Sequence, residues 1–474
     1  MAKPIDDSMQ SRISADCPDD IRLILYDAWA HDTADLKKIL DQPGKASVQD
    51  PTTGETPLHA AIRACGPSPF LGVSEEDAVD IDDTVAQEAA ETVHELFLSG
   101  AIWNDVDNND ETPGCVALRL GQKKLYTLCV EAGNRAELLF DLLGGYETLL
   151  SDTEEALRSV DGESGDEEEA GGASVVDKEA ETGDKKPEAE DKKPETEAET
   201  ENEAGPDAKR QKTTDDDAAP EPEEDVNSKQ YLASDLTYDD SKLTDAQGNG
   251  VMMAWETDIM CRSVSALLRD DPAPSTNGPS DAPLAEGKRI LNIGFGMGII
   301  DGMFAATKPA RHHIIEAHPA VLAHIDSGRT DFGAGWETNA PEPGAYKVHR
   351  GRWQDIVPKL LEAGEVYDAI YFDTFGEDYS ELKKFFTEMI PGILDFGGRF
   401  GFFNGLGADR RICYDVYTNV VEMHMAEAGM DIAWEEIDVD MKGMEEAGQG
   451  EWKGVRRRYW TLDRYRLPIC TFMG

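Results

Sequence analysis

From residue 289 onward, short apolar runs alternate with longer stretches of helical character. The runs are RILNIG (289–294), HHIIEA (312–317), AYKVHR (345–350), YDAIYFD (367–373), GGRFGFFN (397–404) and RRYWTLDRYRLPICTF (457–472). This order predicts strands separated by helices, hence a doubly wound α/β domain whose ligands lie at the carboxyl ends of the strands. The last two runs predict a closing antiparallel pair. Ahead of the first run, VMMAWETDIMCRSVSALL (251–268) has apolar residues at 252, 255, 259, 260, 264, 267 and 268. That spacing of three and four predicts a helix with one packed face.

A different pattern occupies the first third of the chain. TGETPLHAAIRA (53–64) carries T-P-L-H-x-A, the turn and first helix of an ankyrin repeat. Leu58, Ala61 and Ile62 are expected to face inward and His59 to bond nearby backbone, a structural role. A second copy, NDETPGCVALRLG (109–121), has its Thr-Pro 56 residues after the first. The ankyrin period is about 33, and an acidic insertion around 68–90 fits the excess. Helices are expected in DTADLKKIL, AETVHELFLSGA and KKLYTLCVEAG. Two or three repeats over residues 20–150 would form an all-α module that binds protein and performs no chemistry. So few repeats are marginal alone, so this module is expected to pack on the C-terminal domain.

Between the two regions, residues 151–230 hold 29 Asp and Glu against 10 Lys and Arg, with no aromatic. Such a segment buries too little apolar surface to offset chain entropy and reads as a disordered acidic linker. Inside it, AKRQK (208–212) has the composition of a nuclear address, although a basic patch in a mixed-charge linker more often has no such role. The whole chain of 474 residues carries a formal charge of -51. That balance excludes a sequence-independent grip on nucleic acid phosphate and points to basic protein partners or plain solubility.

Seven cysteines without a C-x-x-C pair indicate neither a disulfide framework nor a zinc site. The start lacks an apolar targeting segment and no membrane-length apolar stretch occurs, so a soluble, cytoplasmic protein is expected.

Candidate chemistry gathers in the C-terminal domain. RILNIGFGMGIID (289–301) runs a strand into Gly294, Gly296 and Gly298, but Ile299 stands where a dinucleotide fingerprint wants its third glycine. Glu316 follows Gly294 by 22 residues, at the end of the second strand, where an acid accepts hydrogen bonds from a ribose diol. Asp373, at the end of the fourth strand, either faces the crevice above the glycine loop or caps a turn. Trp353 and Gln354 sit where an adenine edge would be met, with a core role for Trp353 as the alternative. His312, His313 and His318 crowd one strand without a metal-binding pattern, so no metal is expected.

G-x-G-x-G, Glu316, Asp373 and the terminal strand pair together resemble the class I S-adenosylmethionine-dependent methyltransferases, which have a Rossmann-like fold. In order, VMMAWETD, GFGMGI, IIEAH, GRWQDIVPKL and YDAIYFDTFGED look like guanidinoacetate methyltransferase over residues 231–474. With ankyrin-like repeats in front, the whole chain resembles the fungal protein arginine N-methyltransferase 2 family. Those are type IV enzymes that methylate the δ-nitrogen of arginine in a ribosomal protein. The acidic linker and the divergent second repeat depart from the pattern.

The resemblance implies that S-adenosylmethionine is the cofactor, cradled by Gly294, Phe295, Gly296, Met297, Gly298, Ile299 and Ile300. Glu316, Ala317 and His318 would run along its ribose and adenine side. Trp353 and Gln354 would flank the adenine, Met252 would pack on the ligand, and Tyr238 would close the pocket. Glu256 in AWETD and Asp373 match the two carboxylates that hold the guanidine, with Asp373 also among the cofactor-binding residues and Asn404 a weaker candidate. A basic large-subunit ribosomal protein would be the substrate, in the cytoplasm and also the nucleus. Oligomeric state is open, with a monomer compatible. The competing readings are a small-guanidine methyltransferase of the guanidinoacetate type and a non-catalytic ankyrin adaptor.

Overall fold

The computed structural model describes residues 5–69, 84–160, 228–239, 241–269, 284–441 and 450–474. Its first part is helical: α1 (Met9–Arg12), α2 (Asp19–Trp29), α3 (Thr33–Leu40), α4 (Pro57–Arg63), α5 (Thr84–Leu98), α6 (Pro113–Arg119) and α7 (Lys123–Val160). The two Thr-Pro stretches open α4 and α6 in the same way. Thr56 and Thr112 accept the backbone N–H of His59 and Cys115, and each proline sits in a first turn where its missing N–H is not needed. His59 accepts from the Thr56 hydroxyl at 2.7 Å and bonds the Glu111 carbonyl at 2.9 Å, stapling one Thr-Pro turn to the other. α7 continues through the first ten residues of the expected linker. Residues 161–227, with the patch at 208–212, and residues 70–83 of the expected insertion lie outside the described residues.

The helical part shares its core with the rest. Leu25, Leu36, Leu58, Ile62, Val93, Val116 and Leu125 join Ile412, Val416 and Val420 in one apolar cluster. The last three belong to a later helix, Arg411–Glu427. Where the first Thr-Pro stretch has Leu58, the second has Gly114, and a Cβ there would lie 1.9 Å from the Cδ1 of Ile412. The departure from the repeat pattern thus makes room for that helix. Tyr126 donates to Asp415 at 2.6 Å and Tyr417 to Glu137 at 3.2 Å across the same seam. Residues Met1–Tyr146 and Val226–Gly474 form one compact unit.

After α8 (Ser228–Ala233) comes a small antiparallel sheet of β1 (Thr237–Asp239), β2 (Lys242–Thr244) and β3 (Gly250–Met253). The expected helix over 251–268 therefore begins late: Val251 to Met253 are strand, a single turn spans Ala254–Glu256, and α9 covers Thr257–Leu268. The Asp245 carboxylate accepts the backbone N–H groups of Gln247 and Asn249 at 2.9 and 2.8 Å. That hairpin turn commits the residues after it to pairing with β2, which overrides a helical periodicity at 252 and 255.

The main sheet comprises β4 (Arg289–Ile293), β5 (Arg311–Glu316), β6 (Tyr346–Arg350), β7 (Tyr367–Phe372), β8 (Leu394–Phe402), β9 (Met430–Asp438) and β10 (Arg464–Phe472). Its order is β6-β5-β4-β7-β8-β10-β9. The first five strands of that order are parallel, and β10 runs antiparallel to β8 and β9. The expected antiparallel pair of β8 and β10 is present, whereas β9 was not foreseen. Its acidic residues Asp431, Glu435, Glu436 and Asp438 break the apolar run, as an edge strand tolerates.

Helices α10 (Ile299–Ala306), α11 (Pro319–Asp326), α12 (Ala334–Thr338), α13 (Trp353–Glu362), α14 (Tyr379–Lys384), α15 (Ile390–Ile393) and α16 (Arg411–Glu427) connect the strands. The chain winds outward from β4 to β6, then crosses back to β7. The reversal places a crevice over the carboxyl ends of β4 and β7, where such sheets take their ligands. Among the described residues no helix is long and apolar enough to cross a membrane.

Candidate active site

β4 ends at Ile293, whose carbonyl accepts the Asp373 N–H at 2.8 Å just past β7. The next residue, Gly294, has φ +94°, and a Cβ on it would lie 1.9 Å from the Asp373 carbonyl oxygen. Only glycine lets the two strand ends close this tightly. Gly296, at φ +54°, is seated less tightly against Met252, whose side-chain Cε would be 2.7 Å from an added Cβ. These two glycines face a cavity of about 280 Å³ above the crevice. Its walls also carry Met252, Glu256, Glu316, Ala317, Trp353 and Asp373.

The rest of the glycine loop serves the cavity from behind. Phe295 and Ile300 are buried in the core, and Gly298 packs on the Phe295 ring. Met297 and Ile299 rest half-buried against another apolar cluster. Tyr238 donates to the Gly296 carbonyl at 3.3 Å and stacks on His324 at 4.0 Å, so it braces the loop from outside the cavity lining.

Glu316, at the end of β5, accepts the Phe295 N–H at 2.9 Å and the His318 N–H at 2.6 Å. Burial pushes its carboxyl pKa upward, against the pull of these backbone donors. His318 accepts the Ala320 N–H at 3.1 Å, capping α11, so its other ring nitrogen carries the proton and donates to the Tyr231 carbonyl at 2.9 Å. The His318 ring thereby supports Tyr231, which lines the cavity.

Trp353 is at once core and wall: it packs on Phe372 and Phe385, lines the cavity, and donates its indole N–H to Glu377 at 3.0 Å. Gln354 donates to Glu377 at 3.0 Å and to Glu381 at 2.6 Å, and Thr374 donates to Glu377 at 2.8 Å. Glu377 therefore ties the loop after Asp373 to the start of α13. Asn404 donates its backbone N–H to Tyr465 at 2.9 Å and its amide to Tyr414 at 3.2 Å, joining β8 to β10 away from the cavity lining. Of the crowded histidines, His312 pairs with Asp301 at 2.9 Å and His313 with Tyr367 at 2.7 Å, both in the core.

Glu256 and Asp373 meet at the cavity from separate elements, the turn after β3 and the end of β7. Glu256 is 3% exposed, and its Oε1 accepts the Met253 N–H at 3.1 Å and the Tyr459 hydroxyl. Burial first, and the charge of Asp373 second, push its pKa up to about 8. Asp373 is half-buried with its Oδ2 enclosed and unpartnered, and burial raises its pKa to about 7. Among the described residues neither carboxylate makes an ion pair. The two acids thus face the cavity with neutral donors or none.

Sequence reasoning did not name Tyr459, Glu377 or Tyr231 as site residues. Tyr459 sits in a run that reads as strand, and Glu377 in the F-G-E-D that follows Asp373, where its acid was the available signal.

Residues 222–429 match the family model of guanidinoacetate N-methyltransferase. The chain is similar to protein arginine N-methyltransferase 2 of Gibberella zeae, 58% identical over 459 residues that cover 97% of this chain and 94% of that one. Its counterpart in Neurospora crassa is 56% identical over 468 residues, covering 99% of both chains. The Saccharomyces cerevisiae protein of the same name is 34% identical over 426 residues, covering 89% and 84%. With relatives of such identity along nearly its whole length, the chain belongs to the protein arginine N-methyltransferase 2 family.

Proposed function

We propose that this protein transfers a methyl group from S-adenosylmethionine to the δ-nitrogen of an arginine in a basic protein, with large-subunit ribosomal proteins as the substrate class. It is an S-adenosylmethionine-dependent protein arginine N-methyltransferase; what we add is the nitrogen and the substrate. The observation that carries the reading is the pair of buried Glu256 and half-buried Asp373, facing one cavity with no ion pair to either among the described residues.

The residues fit the cofactor. Gly294 and Gly296 offer bare backbone, Glu316 stands where a ribose diol is held, and Trp353 gives an aromatic wall. Glu256, Glu316, Asp373, Glu377 and Asp378 outweigh Arg352 around the cavity, so its charge suits cationic guests. Bound S-adenosylmethionine supplies a methyl group activated by its sulfonium.

The chain's own residues prepare the acceptor. A guanidinium has a pKa above about 12 and as a cation is a poor nucleophile. Glu256 and Asp373 can hold its planar fork by charge-assisted hydrogen bonds and receive the proton that leaves the chosen nitrogen. Their raised basicity, to about 8 and about 7, makes that transfer less uphill than it would be to an ordinary carboxylate. Water exclusion and fixed orientation supply the remaining advantage. In guanidinoacetate the methylated nitrogen is the carbon-substituted one, and its counterpart in arginine is the δ-nitrogen. The match to the guanidinoacetate family model favours that nitrogen by analogy.

In the same reading, the helix pairs α2–α3, α4–α5 and α6–α7 are ankyrin-type repeats that present a docking face to the protein substrate. The charge of -51 favours a basic partner, encountered in the cytoplasm. Incubating the enzyme with ribosomal proteins and isotopically labelled S-adenosylmethionine, then fragmenting the products, separates δ- from terminal-nitrogen methylarginine. Labelled δ-methylarginine on a ribosomal protein is expected. Label confined to terminal nitrogens overturns the nitrogen assignment, and label confined to small guanidines favours the guanidinoacetate-type reading.

A further inference from the structure

Tyr459 lines the cavity from the segment before β10 and donates its hydroxyl to Oε1 of Glu256. Its ring lies near-parallel to Trp255, with centroids 6.2 Å apart, and edge-on to Trp452 at 5.0 Å. The facing backbone is bare: a Cβ on Gly250 of β3 would come within 3.0 Å of the Tyr459 Cε1. The seat for the ring is thus built from two segments, 250–255 and the turn that holds Trp452. Met253 N–H bonds the same Oε1, so both donors fall on one carboxylate oxygen, and no hydrogen bond among the described residues falls on Oε2.

We propose that Tyr459 is a positioning residue for the methyl acceptor: together with the Met253 N–H it occupies Oε1 of Glu256 and thereby reserves Oε2 for the incoming guanidinium. The inference rests on the clamp reading above and adds to it an asymmetry. Glu256 meets the substrate through a single, pre-aimed oxygen. Burial and the neighbouring carboxylate push the Tyr459 pKa far upward, which keeps its hydroxyl a donor throughout the working pH range.

Removing that hydroxyl has a signed consequence. The titratable groups facing Glu256 are Asp373 and Tyr371 at the end of β7, Tyr465 on β10, and Tyr459 itself. Of these, Tyr459 is the one that donates to Glu256 and so favours its ionised form. Its loss moves the acid limb of the pH–rate profile to higher pH.

The test is Tyr459→Phe in the full chain, which keeps the ring and its packing, compared with Glu256→Gln and the double variant. Methyl transfer to large-subunit ribosomal proteins is measured across pH, and S-adenosylmethionine affinity by calorimetry. Tyr459→Phe should lower kcat roughly 10- to 100-fold, the range for a hydrogen bond to a charged group, with cofactor affinity unchanged and the acid limb shifted upward. In the Glu256→Gln background the same change should have little further effect. Losses that multiply in the double variant overturn the inference. So does a Tyr459→Phe enzyme with wild-type kcat and acid limb beside a slow Glu256→Gln enzyme. A Glu256→Gln enzyme at the wild-type rate overturns the clamp reading itself.

Discussion

Two groups of buried carboxylates in this chain are handled in opposite ways. In the helical part, Glu55 accepts from Arg12 at 3.1 Å and from Arg63 at 3.2 Å, while Asp107 accepts from Arg12 at 2.5 Å and from Arg63 as well. Arg119 extends the network through Asp7 at 2.7 Å and Glu111 at 2.6 Å. At the cavity, Glu256 and Asp373 have neutral donors or none. The first group, the closed one, has its cations inside the fold and locks the loops before α4 and α6 together, although Oε1 of Glu55 is enclosed without a partner and burial raises the pKa of that carboxyl to about 7. The second, the open one, has no ion pair among the described residues, and in the proposed function the cation that completes it arrives with the substrate. The arginine of a substrate would do at Glu256 and Asp373 what Arg12 and Arg63 do at Glu55 and Asp107.

The largest effect expected from breaking this comparison is at the open pair. Asp373→Asn keeps shape and removes charge, so kcat/KM should fall by roughly 10³ or more, comparable to removing one partner of a buried ion pair. Affinity for S-adenosylmethionine, measured by calorimetry, should stay within a few-fold of wild type. Loss of cofactor binding would instead move Asp373 out of the guanidine clamp.

Next in size is a break in the closed group. Arg63→Met leaves Glu55 and Asp107 with Arg12 alone and should destabilise the full chain by about 3 kcal/mol. Denaturant unfolding reads this directly. The rate per folded molecule should be retained, because the network lines no part of the cavity. An unfolding midpoint equal to wild type would show that the closed network contributes specificity of pairing but no net stability.

The closed group also shows what a sequence conceals. Arg12 and Asp107 are 95 positions apart, and no local pattern joins them. By contrast, β4, β5 and β7 are buried along nearly their whole length and read as apolar runs, so the centre of the sheet was legible. β9 was not, because four acids interrupt its apolar residues without a regular alternation, at an edge. The strand at 250–253 was hidden by a helical period that extends into it by coincidence. For the site, Gly294, Glu316 and Asp373 follow from strand ends, since a parallel sheet must deliver them to one side. Glu256 needed the family resemblance, as nothing in AWETD alone turns its acid toward a cavity. Tyr459 is 203 positions from the carboxylate it bonds, and only the fold brings them together.

The smallest expected effect carries the opposite sign and sharpens the contrast most. Folding raises the Glu256 pKa from an ordinary 4.5 to about 8, so between those values the folded state holds a proton that the unfolded state has released. Stability therefore declines as pH rises through that window, and the full penalty is present above it. Glu256→Gln has no proton to lose. Its unfolding free energy should match wild type near pH 5 and exceed it near pH 9 by an amount on the order of 1–2 kcal/mol after allowance for relaxation around the charge, read as a higher thermal midpoint. Arg63→Met should lower the midpoint at both pH values. A Glu256→Gln protein less stable than wild type throughout would mean that the hydrogen bonds from Tyr459 and Met253 outweigh desolvation, and that this carboxylate too belongs to the closed kind. A midpoint that rises only at high pH would show a residue kept for its substrate at the expense of the fold.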